Sequence, residues 1–305
     1  MPKEREVFLN GGYRPWGEAT VHLMSHSFGR GSAIFEVIGF DETPAGPAVF
    51  RLDEYLARFR RSASLLGMEL PLAPEALQEA ILLLVKRSGL KNGFIKLFGF
   101  YPEISFSILP SQPRIEVAAC LLASEEVFAD PKEKGPSGVT ACLSRWRRLD
   151  PQTVPIEAKV AANYVSGMVA RNESRKRGFD YALLLDTQGF VAEGGTESLF
   201  LVKEGVLMTP SLGTVLESIT RKSLLEVAQA MGMDTHTGRL DPRLLDEAEE
   251  IFFAGTVGKV LPVRQIGDRS MGAVPGPVAR RLAERMAAIT AGRDVAFARW
   301  LFPCS

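Results

Sequence analysis

Lys159 is the residue in this chain best suited to covalent chemistry. It stands in the run Ser144–Gly167, SRWRRLDPQTVPIEAKVAANYVSG, with Pro155 four residues before it and Asn163 and Tyr164 four and five after. On residue type alone a lysine reads equally as a solvated surface charge. Its neighbours Val160, Ala161 and Ala162 are small and apolar, which makes burial the sharper expectation. Burial disfavours the ammonium form and lowers the amine's pKa, leaving a nucleophile toward carbonyl carbon. That is the chemistry of a Schiff-base lysine. The approach is cationic through Arg145, Arg147 and Arg148.

The chain of 305 residues is long enough to bury a large core in one or two domains. Lysine plus arginine equals aspartate plus glutamate at 36 each, so no net charge favours nucleic acid or an anionic membrane as the partner. The apolar run 80–85 is far too short to span a bilayer. Met1 to Glu6 is charged, with no apolar stretch of the kind a signal peptide carries. Cys120, Cys142 and Cys304 have no metal-ligand spacing, and the apolar neighbours of Cys120 and Cys142 make these two read as buried thiols of a reducing compartment. His22, His26 and His236 are too scattered for a metal site. A cytoplasmic protein is expected.

The elements that must position Lys159 follow from pattern. A hairpin turns at Gly11-Gly12, and strands are expected over 33–40 and 48–52. Asp53 is the expected cap of a helix carrying Leu56, Phe59, Ala63 and Leu66 at helical spacing. A second helix starts at Pro74 and stops at Gly89, and strands follow at 93–101, 105–109 and 114–123. The first 123 residues thus read as a smaller α+β domain. The charged, Pro- and Gly-rich stretch 124–138 reads as a linker, and 139–305 as the larger domain. There, strands are expected at 139–146, 181–186, 190–192, 198–203 and 251–254. Helices are expected over 163–177, from 220 to 232, over 242–249 behind Asp241, and over 277–291. The aromatic tail, 295–302, is expected to dock.

From FLNGGYRP (8–15) to VLPVRQIGDRSMG (260–272) the chain resembles the fold-type IV pyridoxal-phosphate enzymes, most closely the branched-chain aminotransferases. The motif P-x-x-x-K-x-x-x-N-Y carries the likeness at Pro155, Lys159, Asn163 and Tyr164. The resemblance implies a barrel-like sheet with surrounding helices in the larger domain, a homodimer, and pyridoxal 5'-phosphate held by Lys159. It implies that Glu193 in VAEGGTESLF meets the ring nitrogen, Tyr164 the ring hydroxyl, and Leu216 the ring face. Arg58 in LARFRRSA, Ile219 and Thr220 at a helix start, and Thr256 would hold the phosphate; free N–H groups at a helix N-terminus bind anions. Without the resemblance, Glu193 and Arg58 read equally as solvated charges.

The chain departs from the family pattern at several points. Ser198 stands where asparagine is usual, and Glu217-Ser218 replaces Pro-Gly. On the substrate side, Phe35 in HSFGRGSAIFEVIGF matches a pocket aromatic, with Arg30 in place of a tyrosine and Val37 in place of a glycine. Phe94-Ile95-Lys96 replaces Tyr-Ile-Arg. Arg30, Phe35, Phe94, Lys96, Thr256 and Val257 are the substrate-side candidates. Transamination between an amino acid, branched-chain or another L-amino acid, and a 2-oxo acid is the expected activity. A lyase of the aminodeoxychorismate type and a cofactor-binding relative without turnover are the alternatives.

Overall fold

The computed structural model describes residues 5–127 and 138–304. Contacts divide the chain into two compact units. One is Met1–Ala129 with Ala158–Ala162 and Ala288–Ser305; the other is Asp130–Glu157 with Asn163–Ala287. The segment around Lys159 and the C-terminal tail, which linear order assigns to the second domain, both fall in the first unit. Most of the expected linker, 128–137, lies outside the described residues.

In the first unit, β1 (Glu6–Leu9) and β2 (Gly12–Pro15) form the expected hairpin, and the short helix α1 (His26–Arg30) follows. Then come β3 (Ile34–Thr43), β4 (Gly46–Phe50), α2 (Leu52–Leu65), α3 (Pro74–Ser88), β5 (Gly93–Phe100), β6 (Glu116–Ala123) and the single turn α4 (Ser124–Val127). A C-terminal strand, Leu301–Pro303, opens a seven-stranded antiparallel sheet that continues β4, β3, β5, β6, β1, β2. The tail docks because this strand completes the edge beside β4, while Phe297 and Trp300 are buried.

Two expectations in this unit need correcting. Arg51, not Asp53, precedes α2, with a left-handed φ of 49°. The Arg51 N–H donates to the Trp300 carbonyl and its guanidinium lies 4.2 Å from the Trp300 ring, so tail packing overrides local capping. Asp53 instead sits in the first turn, where its charge complements the helix dipole. Residues 105–109 form no strand. Among the described residues no strand pairs with them, and their apolar side chains face outward, Phe106 at 83% exposure. The loop is pinned to α1 by the Ser105 N–H on Met24 O, Arg30 Nη2 on Phe106 O, and His26 Nε2 at 3.1 Å from Ile108 O.

The second unit contains β7 (Val139–Arg147), α5 (Tyr164–Lys176), β8 (Tyr181–Leu185), β9 (Val191–Gly194) and β10 (Ser198–Lys203). It continues with β11 (Val206–Pro210), α6 (Ile219–Ala230), β12 (Thr235–Gly238), α7 (Leu244–Glu247), β13 (Glu250–Ala254), β14 (Leu261–Ile266) and α8 (Pro277–Thr290). Strands β10, β13, β14, β7, β8 and β9 close into a six-stranded barrel; the seam is the pairing of Glu193 with Ser198. Alternate strand residues Leu183, Leu185, Leu199, Leu201, Ile251 and Phe253 form one apolar cluster, as period-two burial requires. Strands β11, β12 and β14 go beyond the sequence expectations, and the helix expected over 242–249 is only the turn α7. Glu250 folds that region together: its carboxylate accepts the Val278 and Ala279 N–H groups at 2.8 Å each, capping α8.

Gly167 fixes how closely α5 lies to the turn after β9. A Cβ built there would stand 2.2 Å from the Gly195 carbonyl oxygen, so only hydrogen fits. Gly167→Ala is expected to cost about 2–3 kcal/mol by overpacking against backbone. Urea unfolding with an unchanged slope would measure it. Among the described residues, no helix is long and apolar enough to cross a membrane.

Candidate active-site groups

The lysine of the sequence motif is held by its backbone. The Lys159 N–H donates to Ser62 Oγ at 2.9 Å, and its carbonyl accepts the Phe35 N–H at 3.0 Å. Ala161 N–H bonds Ala33 O and Ala162 N–H bonds Gly31 O, so 158–162 runs beside the start of β3 like a short extra strand. The small residues after the lysine permit this approach: a Cβ on Gly31 would already be 3.3 Å from the Ala162 Cβ.

The strand register then decides what surrounds the amine. On β3, Ile34, Glu36 and Ile38 point into the core, while Phe35 and Val37 point to the other face. Directly across on β5, Phe98 pairs with Phe35, Lys96 with Val37, and Phe94 with Gly39. One sheet face therefore carries Phe35, Val37, Phe94, Phe98 and Lys96. Lys159 Nζ lies 5.0 Å from the Phe35 ring centroid and Lys96 Nζ 4.1 Å from the same centroid. Burial, with the Lys159 charge added, pulls the Lys96 pKa down to about 8; Glu36 opposes the fall.

Glu36, fully buried, is committed elsewhere. Arg58 forks onto it, Nε to Oε1 at 2.8 Å and Nη2 to Oε2 at 2.5 Å. The guanidinium also lies 5.4 Å from the Tyr55 ring centroid. A bidentate fork fixes the arginine's orientation as well as its charge. Arg58 thus emerges from α2 as a rigid, 6%-exposed cation rather than a solvated side chain.

The second unit holds the other candidates. Glu193 sits at the barrel seam at 7% exposure, opposite Ser198, with Arg148 Nε 2.5 Å from its Oε1. Ile219 and Thr220 open α6 and are buried. Ser218 caps this helix, its Oγ accepting the Arg221 N–H at 3.2 Å, while the Lys222 N–H takes the Ser218 carbonyl. The first-turn donors are thereby left to Ile219 and Thr220. Arg221 is buried beneath them, donating to Thr209 Oγ1 at 3.2 Å and Pro210 O at 2.7 Å. Burial lowers its pKa, and the carboxylates of Glu217 and Glu193 push it back up. Glu217, which replaces the proline of the family pattern, therefore interacts with a buried cation.

Among the remaining candidates, Leu216 is buried before α6 and Tyr164 opens α5, half-buried. The Thr256 carbonyl accepts from Lys259 Nζ, and Val257 is exposed. Arg30 spends its guanidinium on the Phe106 carbonyl, which holds the 104–109 loop. Sequence reasoning missed Glu36, Ser62 and Arg221, and gave Arg148 no partner. Glu36 was the detectable one: a carboxylate at the core-facing phase of IFEVIGF is a buried charge that demands a cation.

The profile of the family "Amino-transferase class IV" matches residues 33–266. The chain is 30% identical over 299 residues to the branched-chain-amino-acid aminotransferase of Salmonella typhimurium, covering 97% of this chain and 96% of that protein. It is similar to two solved structures of the T.th. branched-chain amino acid aminotransferase, each at 36% identity over 99% of both chains. One is complexed with N-(5'-phosphopyridoxyl)-L-glutamate (TM-score 0.91) and the other is with pyridoxamine 5'-phosphate (TM-score 0.92).

Proposed function

The chain belongs to the class IV aminotransferases, and from that premise we propose that its amino donors are L-amino acids with branched or otherwise apolar side chains. It is a pyridoxal-5'-phosphate-dependent transferase that moves an amino group between an amino acid and a 2-oxo acid. The lyase reading raised by the sequence finds no support among these relatives.

The donor set of this chain fits the cofactor. It needs an amine, an anion for its pyridinium nitrogen, and cations or free N–H groups for its phosphate. Lys159 would be the amine, Glu193, paired with Arg148, the anion, and Arg58 and the first turn of α6 would answer the phosphate. Bound to an amine, the cofactor acts as an electron sink that acidifies a substrate's α-hydrogen. Lys159 would hold the cofactor and would carry the proton at the substrate's α-carbon. Glu193 would keep a proton on the ring nitrogen. Tyr164 would donate to the ring hydroxyl, Leu216 would pack on the ring, and Thr256 would help hold the phosphate.

The observation that carries the substrate class is the sheet face beside Lys159. Phe35, Val37, Phe94 and Phe98 make it apolar, and Phe94 brings no hydroxyl where the family pattern has a tyrosine. An apolar wall discriminates by roughly 10–200-fold per methylene, so leucine should exceed alanine in kcat/KM by at least that factor. A panel of L- and D-amino acids with 2-oxoglutarate as acceptor tests it. Preference for D-amino acids, or for aspartate over leucine, would overturn the reading.

A second copy of this chain is the proposed partner. Leu23, Phe28, Ile104, Phe106, Ile108 and Leu109 are exposed on two segments bonded to each other, and grouped exposed apolar side chains mark an interaction surface. Light scattering should return twice the chain mass, and Phe106→Asp should shift it toward one. Three unpaired cysteines fit the reducing cytoplasm as its place.

A further inference from the structure

We propose that Lys96 is a second carbonyl-reactive amine of this protein, one that forms a reversible imine with small 2-oxo acids and aldehydes. The inference rests on the reading of Lys159 as the cofactor's lysine, because the two amines flank one ring. Lys96 lies on the central strand of a row, between Val37 on β3 and Cys120 on β6. Its Nζ contacts aromatic faces, 4.1 Å from the Phe35 centroid and 5.6 Å from that of Phe98.

The charged groups that act on this amine leave it without a counter-ion. Lys159 repels its positive form. Glu36 attracts it, but both Glu36 oxygens are taken by the Arg58 fork. Cys120, beside it in register, is pushed up to about 11 by burial and stays a neutral thiol. Among the described residues, Lys96 Nζ has aromatic contacts and no hydrogen-bond or ion-pair partner. A half-buried ammonium in that setting is unfavourable, and the neutral amine is the form the site accommodates. With a pKa of about 8, roughly a tenth of Lys96 is neutral at pH 7, about 300-fold more than for an ordinary lysine.

The step balances without a further reactant. The Nζ lone pair attacks the carbonyl carbon, a proton passes from nitrogen to oxygen, and water leaves as C=N replaces C=O. Water reverses it. Lys159 is occupied by the cofactor in the resting protein, so Lys96 is the amine of the pair that stays available to an incoming oxo acid. A surface lysine lacks both the lowered pKa and the aromatic flank.

The test uses the full-length protein loaded with pyridoxal 5'-phosphate, with glyoxylate as probe and cyanoborohydride to trap imines, followed by peptide mass mapping. One saturable adduct at Lys96 is expected, half-maximal below the ordinary lysine value because burial lowers the amine's pKa. Lys96→Met and the charge-retaining Lys96→Arg should each lose at least about tenfold of it, the factor that one pKa unit commands. In protein without the cofactor, where Lys159 is a free ammonium, Lys159→Ala removes the repelling charge and should move the half-point to higher pH. Adducts spread over surface lysines, with equal yield in the Lys96 variants, would overturn the proposal. A half-point in wild type at the ordinary lysine value would do the same. Failure of the Lys159 reading is seen separately, as absence of reduced cofactor on Lys159.

Discussion

Lys159→Ala is expected to erase the visible absorption band that pyridoxal 5'-phosphate gives with the wild-type protein, and to lower turnover by at least about 10⁴-fold. The size follows from two losses at one atom. On the proposed reading the Nζ both holds the cofactor and carries the proton at the substrate's α-carbon, and proton transfer alone contributes on the order of 10²–10⁴. The fold should survive. The lysine's N–H to Ser62 and its carbonyl bond from Phe35 are backbone bonds that alanine keeps, so unfolding should shift by no more than about 1 kcal/mol. Added small amines should restore part of the turnover, since they replace the missing group chemically. A lysine-independent band with near-wild-type turnover would sink the assignment. Lys96 does not substitute, because its strand position is set by β3 and β6 rather than by the 158–162 segment.

What could be read from the chain follows the range of the forces involved. The phase of IFEVIGF and the start and stop of α3 at Pro74 and Gly89 are local, and all are visible in the residues. Those signals arise from steric and periodic rules that act over a few positions. The barrel is different. Its strands β7 and β14 pair in parallel across more than a hundred residues, and β14, LPVRQI, lacks clean alternation because a bulge interrupts its register. No local window carries that partnership; the resemblance supplied it. The 105–109 segment misled for the opposite reason. Ser105-Phe106-Ser107-Ile108 alternates like a strand, yet among the described residues its apolar side chains stay exposed, and alternation alone does not supply a partner.

The site shows the same division. As candidates, Lys159, Arg58 and Glu193 are legible because motifs mark them, while the groups that answer them are not. Glu36 lies 22 positions before Arg58, and Arg148 lies 45 before Glu193, each joined only by the tertiary fold. A motif names the residue that faces the chemistry. The residue that holds it in place is constrained only by charge and distance, and many positions meet that requirement before folding. Buried charge is the usable clue, since a buried carboxylate needs a cation or N–H donors to satisfy it.

The Arg148–Glu193 pair gives the means to separate holding from chemistry. Glu193→Gln leaves Arg148 buried beside a neutral amide, an uncompensated charge worth about 3 kcal/mol of stability. It should also lower kcat by on the order of 10²–10³, the usual loss when one preorganised electrostatic group is removed. Adding Arg148→Met removes the orphaned charge. The double variant should therefore recover stability to within about 1 kcal/mol of wild type, because replacing both members of a buried pair is close to neutral. Turnover should not recover, since methionine and glutamine together supply no anion for the ring nitrogen. Unfolding by urea and steady-state kinetics on the single and double variants make a cycle in which the two readouts part company. Were activity to return with stability, Glu193 would be a packing residue of the barrel seam, and the anion that keeps the cofactor protonated would have to be sought elsewhere.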